Sequence, residues 1–301
     1  MNSTLPVSDR RFLIALESIS QRMAKAQTQI SSGLRIAKPS DAPDEVSNLL
    51  TARAELERVK GIESNLGRIK SETDAAEQSL ANSVQAIERL RTLAAQTVNG
   101  TQTAESRAQA ATEAANLIQQ LTVQANSFVG GRYLFAGDAD GTQPYTFDDG
   151  PPLTVSAYAG SAATRRALHP AGDTFPIGLA GDTIFSSATA GANAIDTAVA
   201  FHAALLANDE AGITTALMDL TTVGTHMNDM LAYYGGVQNR VAGAIDFASQ
   251  ARVRLETEIS SIADADYTAA IVELEQAQFS QEAALQSKSY TPRTSLFDYL
   301  R

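Results

Sequence analysis

Apolar residues recur with alternating three- and four-residue spacing along two long stretches of the sequence, one in each half. The more regular stretch extends from Leu217 to Ile262 without a break in the spacing. The other extends from Leu49 to Ala94 with one irregular step. Such spacing places the apolar residues on one side of an α-helix, as in a coiled coil. We therefore predict two long helices, each of which needs another helix to cover its apolar side.

Shorter stretches with the same helical spacing lie outside these two runs. One lies near the start of the chain, and three others cover residues 111–128, 193–207 and 267–285. The stretch near the start of the chain predicts a helix of about six turns, because its apolar residues lie on one helical face. Those residues are Phe12, Leu16, Ile19, Met23, Ala26 and Ile30.

The middle of the sequence has a different character. From Gly130 to about Ser187 it is rich in Gly, Pro, Asp and aromatic residues, with short β-type runs between turn residues. The predicted fold is therefore mainly α, a long antiparallel helical bundle or coiled coil formed by the N- and C-terminal segments, with a β-rich inserted domain in the middle. The expected segments are 1–40, 41–130, 131–192, 193–262 and 263–301.

The stretch ISSGLRIAKPSDAPDEV interrupts the helical pattern between the first helix and the long second helix. Gly33 ends the first helix, because glycine tolerates the positive φ of a helix C-terminus. Pro39 disfavours α conformation in the residue before it. Ser40 or Asp41 is expected to cap the next helix, and Pro43 is tolerated in its first turn.

Charge and composition restrict the possible partners. The net charge is −11 and the sequence pI is about 4.8, so a basic surface for nucleic acid is not expected. Cysteine is absent, and no apolar run approaches the length of a membrane span. We expect no cleaved signal after Arg10 and Arg11, because Glu17 interrupts the apolar run that follows.

The sequence offers little that could carry out catalysis or bind a metal. The histidines His169, His202 and His226 lie far apart in different predicted elements, and no phosphate-loop or nucleophile-elbow motif occurs. Asp138 and Asp140 could bind a cation but more often cap turns in such a glycine-rich loop. We expect no catalytic, metal or cofactor site, and the chain is not expected to be an enzyme.

The apolar stripes of the terminal helices allow two interpretations. They could form the core of a monomeric antiparallel bundle, or part of each stripe could lack a partner within the chain and pack against a neighbouring molecule. The last residues favour the second interpretation, because apolar side chains there need burial. These residues are Leu296, Phe297, Tyr299 and Leu300.

Three segments resemble the conserved terminal regions of the flagellin family. They are QISSGLRIAKPSDAPDEVSNLL at 29–50, GGRYLFAGDADGTQPY at 130–145, and ADADYTAAIVELEQAQFSQEAALQSKSY at 263–290 with the closing SLFDYL. Together with the helices between them they cover about two thirds of the chain, and residues 145–195 are not matched. The form of Pro39–Pro43 and the residues Phe297 and Tyr299 are closer to the hook–filament junction proteins of that family than to flagellin itself.

The resemblance implies a structural subunit of the bacterial flagellum that forms the junction between hook and filament. Such a subunit is exported through the flagellar type III apparatus with the help of an export chaperone. It forms a homo-oligomeric ring or helical layer outside the cell, bound to hook-associated protein 1 on the hook side and to flagellin on the filament side. The alternatives are a minor or divergent flagellin and, less expected, an extracellular adhesin-like protein; neither nucleic acid nor membrane is an expected partner.

The resemblance also implies that the functional residues are packing positions. The expected turn residues between the first two helices are Gly33, Arg35, Pro39, Asp41 and Asp44. The expected assembly interface is Phe12, Leu16, Ile19, Met23, Ile30, Leu274, Leu285, Leu296, Phe297 and Tyr299.

Overall fold

The computed structural model of the chain describes residues 7–100, 102–187 and 191–289, and helices dominate these residues. The two long stretches of regular spacing form single helices of 55 and 54 residues, α2 and α6. The α-helices are α1 (Val7–Ser32), α2 (Pro43–Thr97), α3 (Ala104–Ala125), α4 (Gly181–Phe185), α5 (Ala194–Ala207), α6 (Glu210–Ala263) and α7 (Tyr267–Ser289).

The strands lie in the middle of the chain and are short. Each is two or three residues long and pairs with one antiparallel neighbour, so the described strands form separate two-stranded sheets. The strands are β1 (Phe128–Val129), β2 (Arg132–Tyr133), β3 (Phe147–Asp148), β4 (Thr154–Val155), β5 (Arg166–Leu168), β6 (Thr174–Pro176), β7 (Ser186–Ser187) and β8 (Ala192–Asn193). The predicted mainly α fold class is thus confirmed, with a middle region whose strands are short.

The described residues form two compact units. The first contains residues 7–58 and 251–289, and the second runs from 59 to 250. Both long helices contribute residues to each unit, because α2 and α6 extend across the boundaries between them. The five segments expected from the sequence remain a prediction.

The second unit is an antiparallel arrangement of α2, α3, α5 and α6. Asn82 of α2 donates to Gln124 of α3, whereas Arg89, further along α2, pairs with Glu113, which comes earlier in α3. Gln238 of α6 donates to carboxylates near the middle of α2. The core between these helices is aliphatic, and it includes Leu80, Ile87, Leu90, Ile118, Leu121, Leu220, Val223 and Met227.

The middle region packs into this same core. Phe135 and Phe185 meet edge to face with ring centroids 5.4 Å apart, and Phe135 also contacts the ring of Tyr234 on α6. The Tyr234 hydroxyl accepts a hydrogen bond from Leu179 N at 3.2 Å, and burial raises the pKa of this phenol to about 12. Phe135 and Phe185 therefore belong to the hydrophobic core of the bundle, where aromatic rings supply large buried areas.

Arg107 is the largest buried charged side chain of the second unit and is only 1% exposed. Its Nε donates to Thr97 O at 3.2 Å, at the end of α2. Nη1 donates to Asn208 Oδ1 at 2.5 Å, and Nη2 pairs with the Glu210 carboxylate at 2.9 Å. One guanidinium therefore joins the α2–α3 turn to the α5–α6 turn, and its charge is compensated where it is buried.

Replacing Arg107 with methionine is expected to lower the free energy of unfolding by about 2–4 kcal/mol, because the buried Thr97 carbonyl and the Asn208 amide oxygen then lose their donor. Urea denaturation followed by circular dichroism measures the loss. Arg89→Met is the matched control, since Arg89 forms an exposed ion pair with Glu113 and its loss should leave the midpoint nearly unchanged. Equal midpoints for the two variants would contradict this account of the buried guanidinium.

Candidate assembly surface

The first and last described helices pack against each other in the first unit. Arg22 of α1 donates to Glu273 of α7 at 2.6 Å, and Asp9 near the start of α1 pairs with Lys288 near the end of α7. The Lys288 ammonium also lies 5.6 Å from the centroid of the Phe12 ring. These pairs show that α1 and α7 run antiparallel along their length.

The exposed ion pair between Arg22 and Glu273 helps to set the register of the two helices. Its hydrogen bond lowers the pKa of the Glu273 carboxyl and raises that of the Arg22 guanidinium. The Glu273 pair therefore contributes above the ordinary pKa of a glutamate and is lost as the pH falls through the lowered value. Because both groups face solvent, the pair is expected to orient the helices more than to hold them together.

On α1, burial falls on the apolar stripe that the sequence predicts. Phe12, Leu16, Ile19, Met23 and Ile30 are all half-buried, and Ala26 between them is buried. Because α7 packs along α1, the apolar stripe of the first helix has a partner within the chain that covers it in part.

Burial on α7 coincides with the predicted interface residues only in part. Burial follows Ala270 and Ala277, with Leu274 half-buried, whereas Leu285 is 50% exposed. Alanine side chains are small and let the two helices approach closely. The contact is therefore made by residues that stand out little in the hydrophobic pattern of the sequence. The predicted interface residues Leu296, Phe297 and Tyr299 lie outside the described residues.

Several large apolar side chains on these helices face away from the observed seam. Leu13 and Ile14 are exposed on α1, and Ile271, Val272 and Phe279 are exposed on α7, with Phe279 74% accessible. The predicted assembly interface contains none of these five residues, because it was drawn from a single apolar stripe on each helix. The available signal was that apolar residues of α7 occur on more than one side, which is typical of a helix that is covered on several sides.

Gly33 ends α1 in a conformation that suits glycine. Its φ is +73°, and its N–H donates to Gln29 O at 2.9 Å. A β-carbon placed on Gly33 would lie 2.7 Å from the hydroxyl of Tyr267, the first residue of α7. Glycine is therefore required twice here, by the backbone and by the close approach of the tyrosine.

The turn after α1 is bonded to the turn before α7. Leu34 and Asp264 form an antiparallel bridge, in which Arg35 N donates to Ala263 O at 2.7 Å and Ala265 N donates to Gly33 O at 2.9 Å. Beneath it, Ile36, Leu49 and Ala263 form a small hydrophobic cluster. We refer to residues 33–36 with 263–265 as the turn clamp.

Side chains complete the turn clamp and the chain that follows it. Arg35 Nη2 donates to Ile262 O at 2.6 Å and also pairs with Glu45 in the first turns of α2. Asp41 Oδ2 accepts from the backbone N–H of Ala37 at 3.0 Å and of Lys38 at 2.7 Å. Both residues therefore form hydrogen bonds in the segment between α1 and α2, and their role in setting its path stays a prediction.

The predicted cap of α2 was wrong in detail. Neither Ser40 nor Asp41 begins the helix, because Pro39–Asp41 form a short 3-10 turn and the Asp41 carboxylate bonds backward. Ala42 occupies the capping position, where its carbonyl accepts from Val46 N at 3.2 Å. Asp44 lies exposed in the first turn, where a carboxylate favours the positive end of the helix dipole.

The described residues show no arrangement suited to metal chemistry. Over residues 7–100, 102–187 and 191–289, no three His, Asp or Glu side chains come together as potential metal ligands. His226 is bonded to Thr183 O at 3.0 Å, and His169 lies near Asp173 within one hairpin. Nor does any helix of this part of the chain have the length and apolar character needed to cross a membrane.

Paired helices from the two ends of a chain, joined at their turns and flanking a less regular middle region, define a class of helical structural proteins. The family descriptions that match are the bacterial flagellin N-terminal helical region over residues 12–140 and the bacterial flagellin C-terminal helical region over residues 217–300. These regions together cover more than two thirds of the sequence. The chain belongs to the flagellin superfamily.

Within that superfamily the similarity is to hook-associated protein 3. The chain is 28% identical to the flagellar hook-associated protein 3 of Escherichia coli (strain K12) over 294 residues, which covers 89% of each chain. A flagellar hook-associated protein from Vibrio parahaemolyticus shares the fold at 18% identity and a TM-score of 0.65, over 74% of this chain and 100% of that one. The Bacillus cereus FlgL structure shares it at 19% identity and a TM-score of 0.56, over 71% and 100%.

Replacing Gly33 with alanine is expected to lower the free energy of unfolding by about 1–2 kcal/mol, because the backbone conformation there disfavours a β-carbon. Chemical denaturation measures the change. Gly61→Ala is the control of opposite sign, since Gly61 lies inside α2 with no atom near its β-position and should gain about 0.5–1 kcal/mol.

The contact with Tyr267 is measured by making Gly33→Ala again in a Tyr267→Phe background. Removing the hydroxyl should reduce the loss without abolishing it, because the backbone strain persists. A Gly33→Ala protein as stable as the original would contradict both requirements for glycine.

Proposed function

We propose that this chain is a structural subunit of the bacterial flagellum that forms the junction between hook and filament, on which flagellin polymerises. The observation that carries the proposal is the similarity to hook-associated protein 3 over 89% of the chain. The similarity of the two end regions supports it, because they match the N-terminal and C-terminal helical regions of bacterial flagellin. A structural role is also consistent with the expectation that the chain is not an enzyme.

The proposed partners are those of a junction layer. Copies of the chain form a ring or helical layer, with hook-associated protein 1 on the hook side and flagellin on the filament side. A flagellar export chaperone holds the subunit before export, and the assembled layer lies outside the cell. The acidic surface, with a net charge of −11, keeps unassembled subunits apart in solution.

The proposed assembly surface has two parts. One part is the half-buried seam predicted from the sequence on α1 and α7, which the packing of these two helices against each other covers only in part. This part also includes Leu285 and the terminal residues Leu296, Phe297 and Tyr299. The other is the outer apolar set on the same helices, defined as Leu13, Ile14, Ile271, Val272 and Phe279. Exposed apolar residues on adjacent helices indicate a surface that neighbouring subunits bury.

A minor or divergent flagellin is the alternative, since the matched helical regions carry the flagellin name. The two functions differ in whether the chain grows filaments by itself. We expect purified chain to form no long filaments alone, and to increase the number of filaments when it is added to monomeric flagellin from the same organism. Electron microscopy of the chain alone and of the chain with flagellin distinguishes the two functions. Long filaments from the chain alone would establish the alternative.

Replacing Phe279 with serine is expected to weaken assembly while changing the free energy of unfolding by no more than about 0.5 kcal/mol, because the side chain is largely exposed. The measurement is the number of filaments seeded at equal protein concentration. Met218→Ser is the matched control, since Met218 is 61% exposed on α6 in the other unit. An equal loss of seeding in both variants would contradict the assignment of this surface to α7.

A further inference from the structure

A small cavity lies in the second unit where α2, α6 and the middle region meet. Its lining includes Glu72 and Thr73 of α2, Tyr234 of α6, and Gly178 and Leu179 of the segment between β6 and α4. The cavity has a volume of about 20 Å³. One water molecule needs roughly 10–15 Å³, so the cavity has room for a single water and for no larger ligand.

The hydroxyl of Tyr234 is a buried donor. Tyr234 is 1% exposed, and burial raises the pKa of its phenol to about 12, so the hydroxyl keeps its proton at neutral pH. Its oxygen accepts a hydrogen bond from Leu179 N at 3.2 Å. Within the described part of the chain, no hydrogen bond uses this hydroxyl as the donor. A buried hydroxyl proton without an acceptor costs free energy, and buried tyrosines usually have a partner for it.

Two other tyrosines of the same core donate their hydroxyl proton to the main chain. The Tyr145 hydroxyl donates to Gly181 O at 3.0 Å, and the Tyr158 hydroxyl donates to Phe135 O at 2.8 Å. Tyr145 is as deeply buried as Tyr234, at 1% exposure. Burial in this core therefore does not by itself leave a tyrosine without an acceptor, and the arrangement at Tyr234 is a local feature.

The Tyr234 hydroxyl lies at the wall of the cavity. A β-carbon placed on Gly178 would be 3.1 Å from the hydroxyl oxygen, and both Gly178 and Leu179 belong to the lining. Glycine at position 178 therefore keeps this side of the hydroxyl clear of a side chain. Because the position of a hydroxyl hydrogen adjusts to its acceptor, the Tyr234 proton can be directed into the cavity.

Acceptors for a water line the α2 side of the cavity. The Thr73 hydroxyl donates to Lys70 O at 2.9 Å, so its oxygen can still accept a hydrogen bond. Glu72 is 5% exposed, with Oε2 at 2.8 Å from Arg165 Nη2 and Oε1 at 3.9 Å from Arg132 Nε. Two carboxylate oxygens have about four acceptor positions, so Glu72 retains acceptor capacity. One donor and two acceptor groups are the set that a buried water needs.

We propose that this cavity is a binding site for one ordered water molecule. The water accepts the proton of the Tyr234 hydroxyl and donates its own protons to oxygens of Thr73 and Glu72. It thereby links α6 to α2 beside the points at which Arg165 and Leu179 attach the middle region to these helices. Buried waters of this kind typically form about three hydrogen bonds to groups that lack other partners.

A crystal structure of the chain in which ordered water is visible tests the site directly and needs no variant. We expect one water within hydrogen-bond distance of the Tyr234 hydroxyl oxygen and of at least one side-chain oxygen of Thr73 or Glu72. A Tyr234 hydroxyl that donates directly to a protein oxygen would overturn the proposal. Absence of ordered water from the cavity in that structure would overturn it as well.

Relaxation dispersion of the water oxygen nucleus counts the long-lived waters of the folded chain in solution, and exchange of hydroxyl protons does not affect the count. Gly178→Ala should bind one long-lived water fewer than the original chain, because a methyl group at the wall takes the room of the water. Gly141→Ala is the matched control in the middle region, since no atom lies within 4 Å of its β-position, and it should keep every such water. Circular dichroism checks that both variants fold, and equal counts in the two folded variants would refute the site.

Discussion

The turn clamp fixes the relation between helix α1 and helix α7 in the first unit. Helices α1 and α7 are separated by more than two hundred residues in sequence, and each is connected to its neighbouring long helix through one turn. The main-chain hydrogen bonds of residues 33–36 with 263–265 join those turns, and Arg35 adds a side-chain bond to Ile262 O. Because backbone bonds specify register, the antiparallel contact of α1 with α7 begins from a defined point. The positive φ of Gly33 and the compact Pro39–Asp41 turn both serve this arrangement.

The helical part of the fold could be predicted from the sequence, because apolar spacing alone determines which side of a helix must be buried. The α2 and α6 helices run as the spacing indicates, and even Gly235 and Gly236 do not interrupt α6. The middle region was less predictable. Its β-type runs form only short paired strands, while Phe135, Tyr145 and Phe185 pack into the bundle core. Sequence composition indicates turns there, but it does not reveal that aromatic residues between turns will meet helices far away in the chain.

The candidate assembly surface was predictable only in part. The α1 seam and the residues Arg35 and Asp41 carry local signals, namely helical spacing and turn chemistry. The partner of Arg35 is a backbone carbonyl near residue 262, and no local pattern identifies a partner of that kind. On α7, alanines occupy the contact with α1 while Phe279 faces outward, which reverses the usual expectation that the larger apolar residue is buried. A helix with apolar residues on more than one side gives no single stripe from which to read its contacts.

The hairpin of β5 and β6 has a consequence for visualising the protein. Its tip at Ala171 and Gly172 is exposed, and no atom lies within 4 Å of the β-position of Gly172. The hairpin is closed by its own main-chain bonds, including His169 N to Asp173 O at 2.8 Å. A small epitope or a dye-accepting cysteine grafted at this tip would stand clear of the aromatic core, and the naturally cysteine-free chain would take the dye at that one place.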